Sequence, residues 1–101
     1  MRIWYSPEML QKLDKIFGGN AQLTVLECLL QNRGKITYLS GIAGECGISH
    51  STVARVIEPL SEMDLVKEIK ISKQTRTFAL NEDNEITRLL VEFYKDLNKI
   101  I

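Results

Sequence analysis

Residues 36–66, ITYLSGIAGECGISHSTVARVIEPLSEMDLV, decide the fold. Thr37 can cap a short helix that carries Leu39, Ile42, Ala43 and Cys46 inward. Gly47 suits the left-handed residue that ends such a helix. Ser49 then caps a second helix, predicted to run to about Met63, whose inward stripe is Val53, Ile57 and Leu60 at spacings of four and three. Pro59 lies deep inside it and removes one backbone bond, which predicts a kink or a frayed last turn. Asp64 occupies a position where glycine would be easier, so it is expected to close the helix in a left-handed or strained conformation.

Working outward, Ser6-Pro7-Glu8 opens a first helix: serine caps, proline fits the first turn and glutamate complements the dipole. Leu10, Leu13, Ile16 and Phe17 share one face of it, and Gly18-Gly19 ends it. Asn20 caps a second helix, with Leu23, Leu26, Cys28, Leu29 and Leu30 inside, stopped by Asn32-Arg33-Gly34. Lys35-Ile36 reads as a short strand or extended bridge. On the other side, Leu65 to Ile71 approximates two-residue alternation, Ser72-Lys73-Gln74-Thr75 is turn-like, and Arg76 to Leu80 returns as a second strand. After Asn81 comes a last amphipathic helix whose main stripe is Ile86, Leu89, Leu90, Phe93, Leu97 and Ile100, with Val91 and Tyr94 outside that stripe. The expected architecture is mainly α with a small β-hairpin, an α+β fold in the order helix–helix–strand–helix–helix–hairpin–helix.

At 101 residues the chain makes a single domain able to close one hydrophobic core. Hydrophobic content of 45% and charged content of 26% are ordinary for a soluble globular protein. No apolar run approaches a membrane span, and the N-terminus lacks a signal-peptide layout. Cys28 and Cys46 form no disulfide framework, so a reducing, cytoplasmic setting is expected. Lysine plus arginine equals aspartate plus glutamate, 13 each. The distribution is uneven: Lys67, Lys70, Lys73 and Arg76 stand against Glu68 alone between residues 67 and 76. A neutral protein with one basic face can bind DNA, but with little long-range attraction to spare.

The element order resembles the winged helix-turn-helix family of transcription regulators, and looks closest to the small bacterial and archaeal kinds related to MarR-like and ArsR-like repressors. The resemblance covers Asn20 to Leu80. It is most specific at Ile42-Ala43-Gly44-Glu45-Cys46-Gly47-Ile48-Ser49, Ser51-Thr52-Val53-Ala54-Arg55 and Met63-Asp64-Leu65-Val66. Three departures stand out. Cys46 occupies a position usually held by leucine and should be core. Asp64 replaces the usual glycine. Gln74-Thr75-Arg76 replaces the Asp-x-Arg frequent in MarR-like wings, keeping the arginine without its acidic orienting partner.

The resemblance implies a recognition helix at about 50–63 in the major groove and a wing at about 66–80 on the backbone or minor groove. Candidate DNA-binding residues are Ser49, His50, Ser51, Thr52, Arg55, Lys70, Lys73 and Arg76. Ser51 and Thr52 can bond phosphates or base edges, and Arg55 can pair bidentately with guanine. Arg76 is the candidate for the minor groove. The plain alternatives are a solvated helix face and an edge hairpin kept soluble by lysines. Glu58 is expected outside the groove or paired with a neighbour. Gly41 and Gly44, three residues apart inside a short helix, read either as a loosely specified helix or as a smooth face for close approach.

Cys28, Cys46 and His50 lack a recognised ligand spacing, so no metal is expected and the cysteines read as structural. No cofactor is implied, no effector is identified, and no arrangement of serines, glycines or carboxylates supports catalysis. The two ends are unusually apolar. Trp4, Tyr5, Leu90, Phe93, Tyr94, Leu97 and Ile100 are the candidate dimer interface, with residues 1–19 and 81–101 packing across a two-fold axis. The alternative is an N-terminal arm folded over the last helix within one subunit. For the whole chain two readings stand: a dimeric, sequence-specific regulator of transcription, and a winged-helix adaptor that binds protein rather than DNA.

Overall fold

The computed structural model describes residues 12–73 and 75–100; the expected helix start at 6–8, together with Trp4 and Tyr5, lies outside them. Helices α1 (Lys12–Phe17) and α2 (Ala21–Gln31) lead into the two-residue strand β1 (Thr37–Tyr38). Helices α3 (Leu39–Cys46) and α4 (His50–Glu62) follow, then strands β2 (Val66–Lys70) and β3 (Arg76–Leu80), and finally α5 (Glu85–Ile100). The strands form one antiparallel sheet in the order β1-β3-β2, with Thr37 opposite Phe78 and Val66 opposite Leu80. Over the described residues the elements follow one another as read from the sequence.

Local signals act as expected at most helix ends. Asn20 Oδ1 accepts the Leu23 N–H at 2.8 Å and Ser49 Oγ accepts the Thr52 N–H at 3.2 Å, each satisfying an otherwise orphaned donor. Gly47 takes φ 71° and Asp64 takes φ 60°, both left-handed. Around Asp64 the Leu65 N–H reaches the Leu60 carbonyl and the Asp64 N–H reaches Ser61, the bond pair of a Schellman turn. The Asp64 carbonyl accepts from the side-chain amides of Asn81 and Asn84, at 3.0 and 3.1 Å. These bonds hold a non-glycine residue where glycine would be at ease.

Three expectations are corrected. Thr37 does not cap α3: it is taken up in β1 against Phe78, which moves the strand two residues later than Lys35-Ile36 and leaves Tyr38 at the cap without a side-chain bond. Pro59 does not fray α4, because the helix continues to Glu62 and Met63 N–H donates to the Pro59 carbonyl. Cys46 is half-buried rather than core, whereas Cys28 is fully buried. Gly41 faces the Thr37 methyl closely, since an added Cβ would meet it at 3.3 Å, whereas Gly44 faces open space.

The largest correction concerns α5. Its buried face is Thr87, Val91 and Tyr94. The expected main stripe lies outside or at the margin: Leu89 is 70% exposed and Ile100 83%, Ile86 and Phe93 are exposed, and Leu90 and Leu97 are half-buried. Polar bonds set this rotation. Glu27, fully buried on α2 and unremarked in the sequence pattern, accepts the Tyr94 O–H at 2.7 Å and the Leu13 N–H at 3.1 Å. Gln31 Nε2 donates to the same phenol oxygen at 2.7 Å, and Thr87 Oγ1 donates to the Leu65 carbonyl at 3.2 Å. Burial, with the Glu27 carboxylate beside it, holds the Tyr94 phenol well above its ordinary pKa, although the Gln31 bond acts the other way. Tyr94 is therefore a core residue, not an interface one.

The remaining core joins Val25, Cys28 and Leu29 of α2 to Ile42 of α3 and to Val53, Ile57 and Leu60 of α4, closed from below by Val66, Phe78 and Leu80. Tyr94→Phe keeps the ring and removes the donor to Glu27. It should cost about 1–3 kcal/mol, the penalty for a buried acceptor losing one of its donors, read as a lower urea midpoint at unchanged slope.

Candidate nucleic-acid interface

The turn Gly47–Ser49 sets α4 across α3, with Val53, Ile57 and Leu60 anchored in the core. The opposite face of α4 is therefore committed to solvent. His50, Ser51, Arg55 and Glu58 are exposed on it, while Thr52 and Ala54 are half-buried at its margins. Arg55 has no ion pair among the described residues and lines an open groove of about 550 Å³ with Asn20, Leu23, Leu26 and Val56. His50, Ser51 and Arg55 thus combine short donors near the helix N-terminus with one long donor a turn later, the arrangement a groove-reading helix requires.

Ser49 and Thr52 are differently occupied. Ser49 Oγ is the cap, and its hydroxyl lies 2.7 Å from Thr52 Oγ1 and 3.3 Å from Ser51 Oγ. These three hydroxyls form one short chain, so the first role of Ser49 and Thr52 is to organise the helix start.

The hairpin β2–β3 stands beside α4. Lys67, Lys70 and Lys73 are exposed along it, and Ile71 is exposed just past the end of β2. Lys67 is exposed too, but it stands three residues before Lys70 on the same strand and so on the opposite face of the hairpin. Arg76 is placed otherwise than its sequence neighbourhood implies. Its Nε and Nη2 grip Glu68 at 3.1 and 3.2 Å, Nη2 also reaches Glu58 on α4 at 3.0 Å, and the guanidinium lies 5.1 Å over the Phe78 ring. The arginine does have acidic orienting partners; they come from the facing strand and the helix instead of from residue 74. The Arg76 bond draws the Glu68 carboxyl below its usual pKa, against a small opposing effect of burial.

Cys28, Cys46 and His50 are not brought together, and no cluster of three metal-ligating side chains occurs among the described residues. Cys28 Sγ lies 3.5 Å from Glu45 Oε2, which also accepts from Asn32 Nδ2 at 2.8 Å, and Cys46 Sγ lies 3.9 Å from the Thr24 carbonyl. Among the described residues, no helix is long and apolar enough to cross a membrane.

No protein-family model matches the chain, and no curated protein is significantly similar to it. Solved structures are. Reduced HlyU from Vibrio cholerae N16961 aligns at a TM-score of 0.62 and 20% identity over 84% of this chain and 83% of that one. The adhesin competence repressor AdcR of Streptococcus pyogenes gives 0.62 and 19%, over 91% and 66%. Mb0332 from Mycobacterium bovis, described as a homodimeric winged helix-turn-helix DNA-binding domain, gives 0.58 and 16%, over 97% and 91%. The fold is a winged helix-turn-helix.

Because Ser49 caps α4 and seeds the hydroxyl chain, Ser49→Ala should lower stability by about 1 kcal/mol, measurable by urea denaturation, with amide exchange accelerating first at residues 51–53.

Proposed function

We propose that this chain is a cytoplasmic regulator of transcription that binds double-stranded DNA as a homodimer. The observation that carries this reading is the exposed edge of α4. His50, Ser51 and Arg55, which has no ion pair among the described residues, project from a helix whose other face is locked in the core, beside a hairpin bearing Lys67, Lys70 and Lys73. Arg55, with Ser51 and Thr52 at the helix start, reads base edges, and Lys70 and Lys73 follow the phosphates. No cofactor takes part. The homodimeric DNA-binding domain Mb0332, which has the same fold, supports both halves of the proposal.

The dimer reading also has support within the chain. The outer face of α5 presents Ile86, Leu89, Phe93 and Ile100, and the Phe17 ring, itself 63% exposed, extends it, with its centroid 6.4 Å from that of Phe93. An apolar surface of this continuity is costly to leave in water. Leu90 and Leu97 flank it. A two-fold contact through this face would join two copies of the chain and with them two recognition helices, as half-site reading requires. The rival reading is a winged-helix adaptor for another protein, and the zero net charge favours it.

Fluorescence anisotropy with a random-sequence duplex pool, titrated across salt and followed by sequencing of the retained molecules, separates the two. The regulator binds with a log–log salt slope of about −0.9 per phosphate contacted and enriches a two-fold-symmetric motif. Arg55→Ala should weaken selected-site binding by about 1–3 kcal/mol and relax preference at one position. Lys73→Ala should weaken all sequences alike and flatten the slope by about 0.9. An absence of binding at low salt would leave the adaptor. Leu89→Asp should convert a dimer to a monomer in sedimentation velocity; a wild-type chain that already sediments as a monomer would remove the dimer.

A further inference from the structure

Arg76 joins two elements, the recognition helix α4 and the strand β2, through side-chain bonds. Its planar fork engages both oxygens of Glu68 on β2, and its Nη2 also bonds Glu58 on α4. The Arg76 side chain is 41% exposed, so a single such pair would contribute little. Three bonds on one guanidinium, packed over Phe78, constrain far more than one, because the fork fixes direction as well as distance. The register sharpens the point. Lys70 lies directly opposite Arg76 across the hairpin, two like charges that repel unless a carboxylate lies close to both. Glu68, diagonal to Arg76 on the same strand as Lys70, supplies that carboxylate.

We propose that Arg76 is a positioning residue: by clamping Glu58 of the recognition helix to Glu68 of the wing it sets the angle between them, and it does not itself touch nucleic acid. The clamp has a second consequence. Glu58 and Glu68 both stand on the side of the molecule that would face phosphates, and Arg76 neutralises them there while keeping Glu58 turned toward the hairpin. The structural half of this inference stands alone; the statement about nucleic acid rests on the DNA-binding reading above.

The two halves are tested separately on the full chain. Without DNA, amide residual dipolar couplings of β2, β3 and α4 in the wild type should fit one rigid alignment. In Arg76→Gln, and in the Glu58→Gln/Glu68→Gln double variant, the wing couplings should depart from the α4 alignment. Arg76→Lys, which keeps the charge and lacks the fork, should depart as well. Couplings that fit one alignment in every variant would overturn the clamp. With DNA, Arg76→Gln should bind roughly three- to fivefold more weakly, the scale of a surface ion-pair network, at an unchanged salt slope. The double variant, with Arg76 released toward phosphates, should steepen the slope by about 0.9, and adding Arg76→Gln should return it. A slope that flattens by about 0.9 in Arg76→Gln alone would show a direct phosphate contact and overturn the proposal. A wild-type chain that binds no DNA would instead remove the regulator reading, while the couplings still decide the clamp.

Discussion

The buried carboxylate of Glu27 is the constraint on which most of this structure turns. A carboxylate at zero exposure is tolerable only when its lone pairs are filled, and here it receives the Tyr94 hydroxyl and the Leu13 amide. Those two bonds tie α1 and α5 to α2, elements from opposite ends of the chain. They also set the rotation of α5. Once Tyr94 points inward, Thr87 and Val91 follow it on the same face of a 3.6-residue helix, and Leu89, Phe93 and Ile100 must face outward. The apolar surface that α5 leaves in solvent is thus a by-product of satisfying one buried acid.

The exposed edge of α4 rests on a different kind of control. Ser49, Gly47 and Asp64 fix where α3 ends and where α4 starts and stops, each through bonds spanning a few residues. The entry to the hairpin is then held by Asn81 and Asn84, whose side-chain amides reach back to the Asp64 carbonyl. Asn84 Oδ1 also accepts the Ile86 N–H at 2.7 Å. One residue therefore begins the terminal helix and secures the end of α4, so the apolar outer face of α5 and the polar outer face of α4 are held in fixed relation.

Electrostatically the molecule is balanced in number and unbalanced in place. Lys67, Lys70 and Lys73 line the hairpin and Arg55 stands alone on α4, but Glu58 and Glu68 lie among them. In a basic protein two such acids would matter little. In a neutral one they decide whether the edge attracts or repels phosphate, and both are bound to Arg76. The arginine that the sequence offers for the minor groove is paired with both of them within the fold.

The element order, the recognition stretch and most helix ends were legible in the residues alone, because caps and left-handed closures are short-range chemistry. Asn20 acts on Leu23, Ser49 on Thr52, and Gly47 and Asp64 on their own φ. The Val53, Ile57 and Leu60 stripe was legible too, since no competing apolar face exists on α4. The face of α5 was not. Its heavier apolar stripe is the exposed one, and the inward face is chosen by a bond from Tyr94 to a residue 67 positions away. The start of α3 likewise moved because Thr37 pairs with Phe78, forty-one residues on, and Arg76 is bound within the fold because Glu58 and Glu68 reach it from other elements. Periodicity and capping therefore determined which segments are helix, turn and hairpin. Contacts distant in sequence decided which side of each segment faces inward and which charges remain free, because burying a polar group demands a partner that local sequence does not contain.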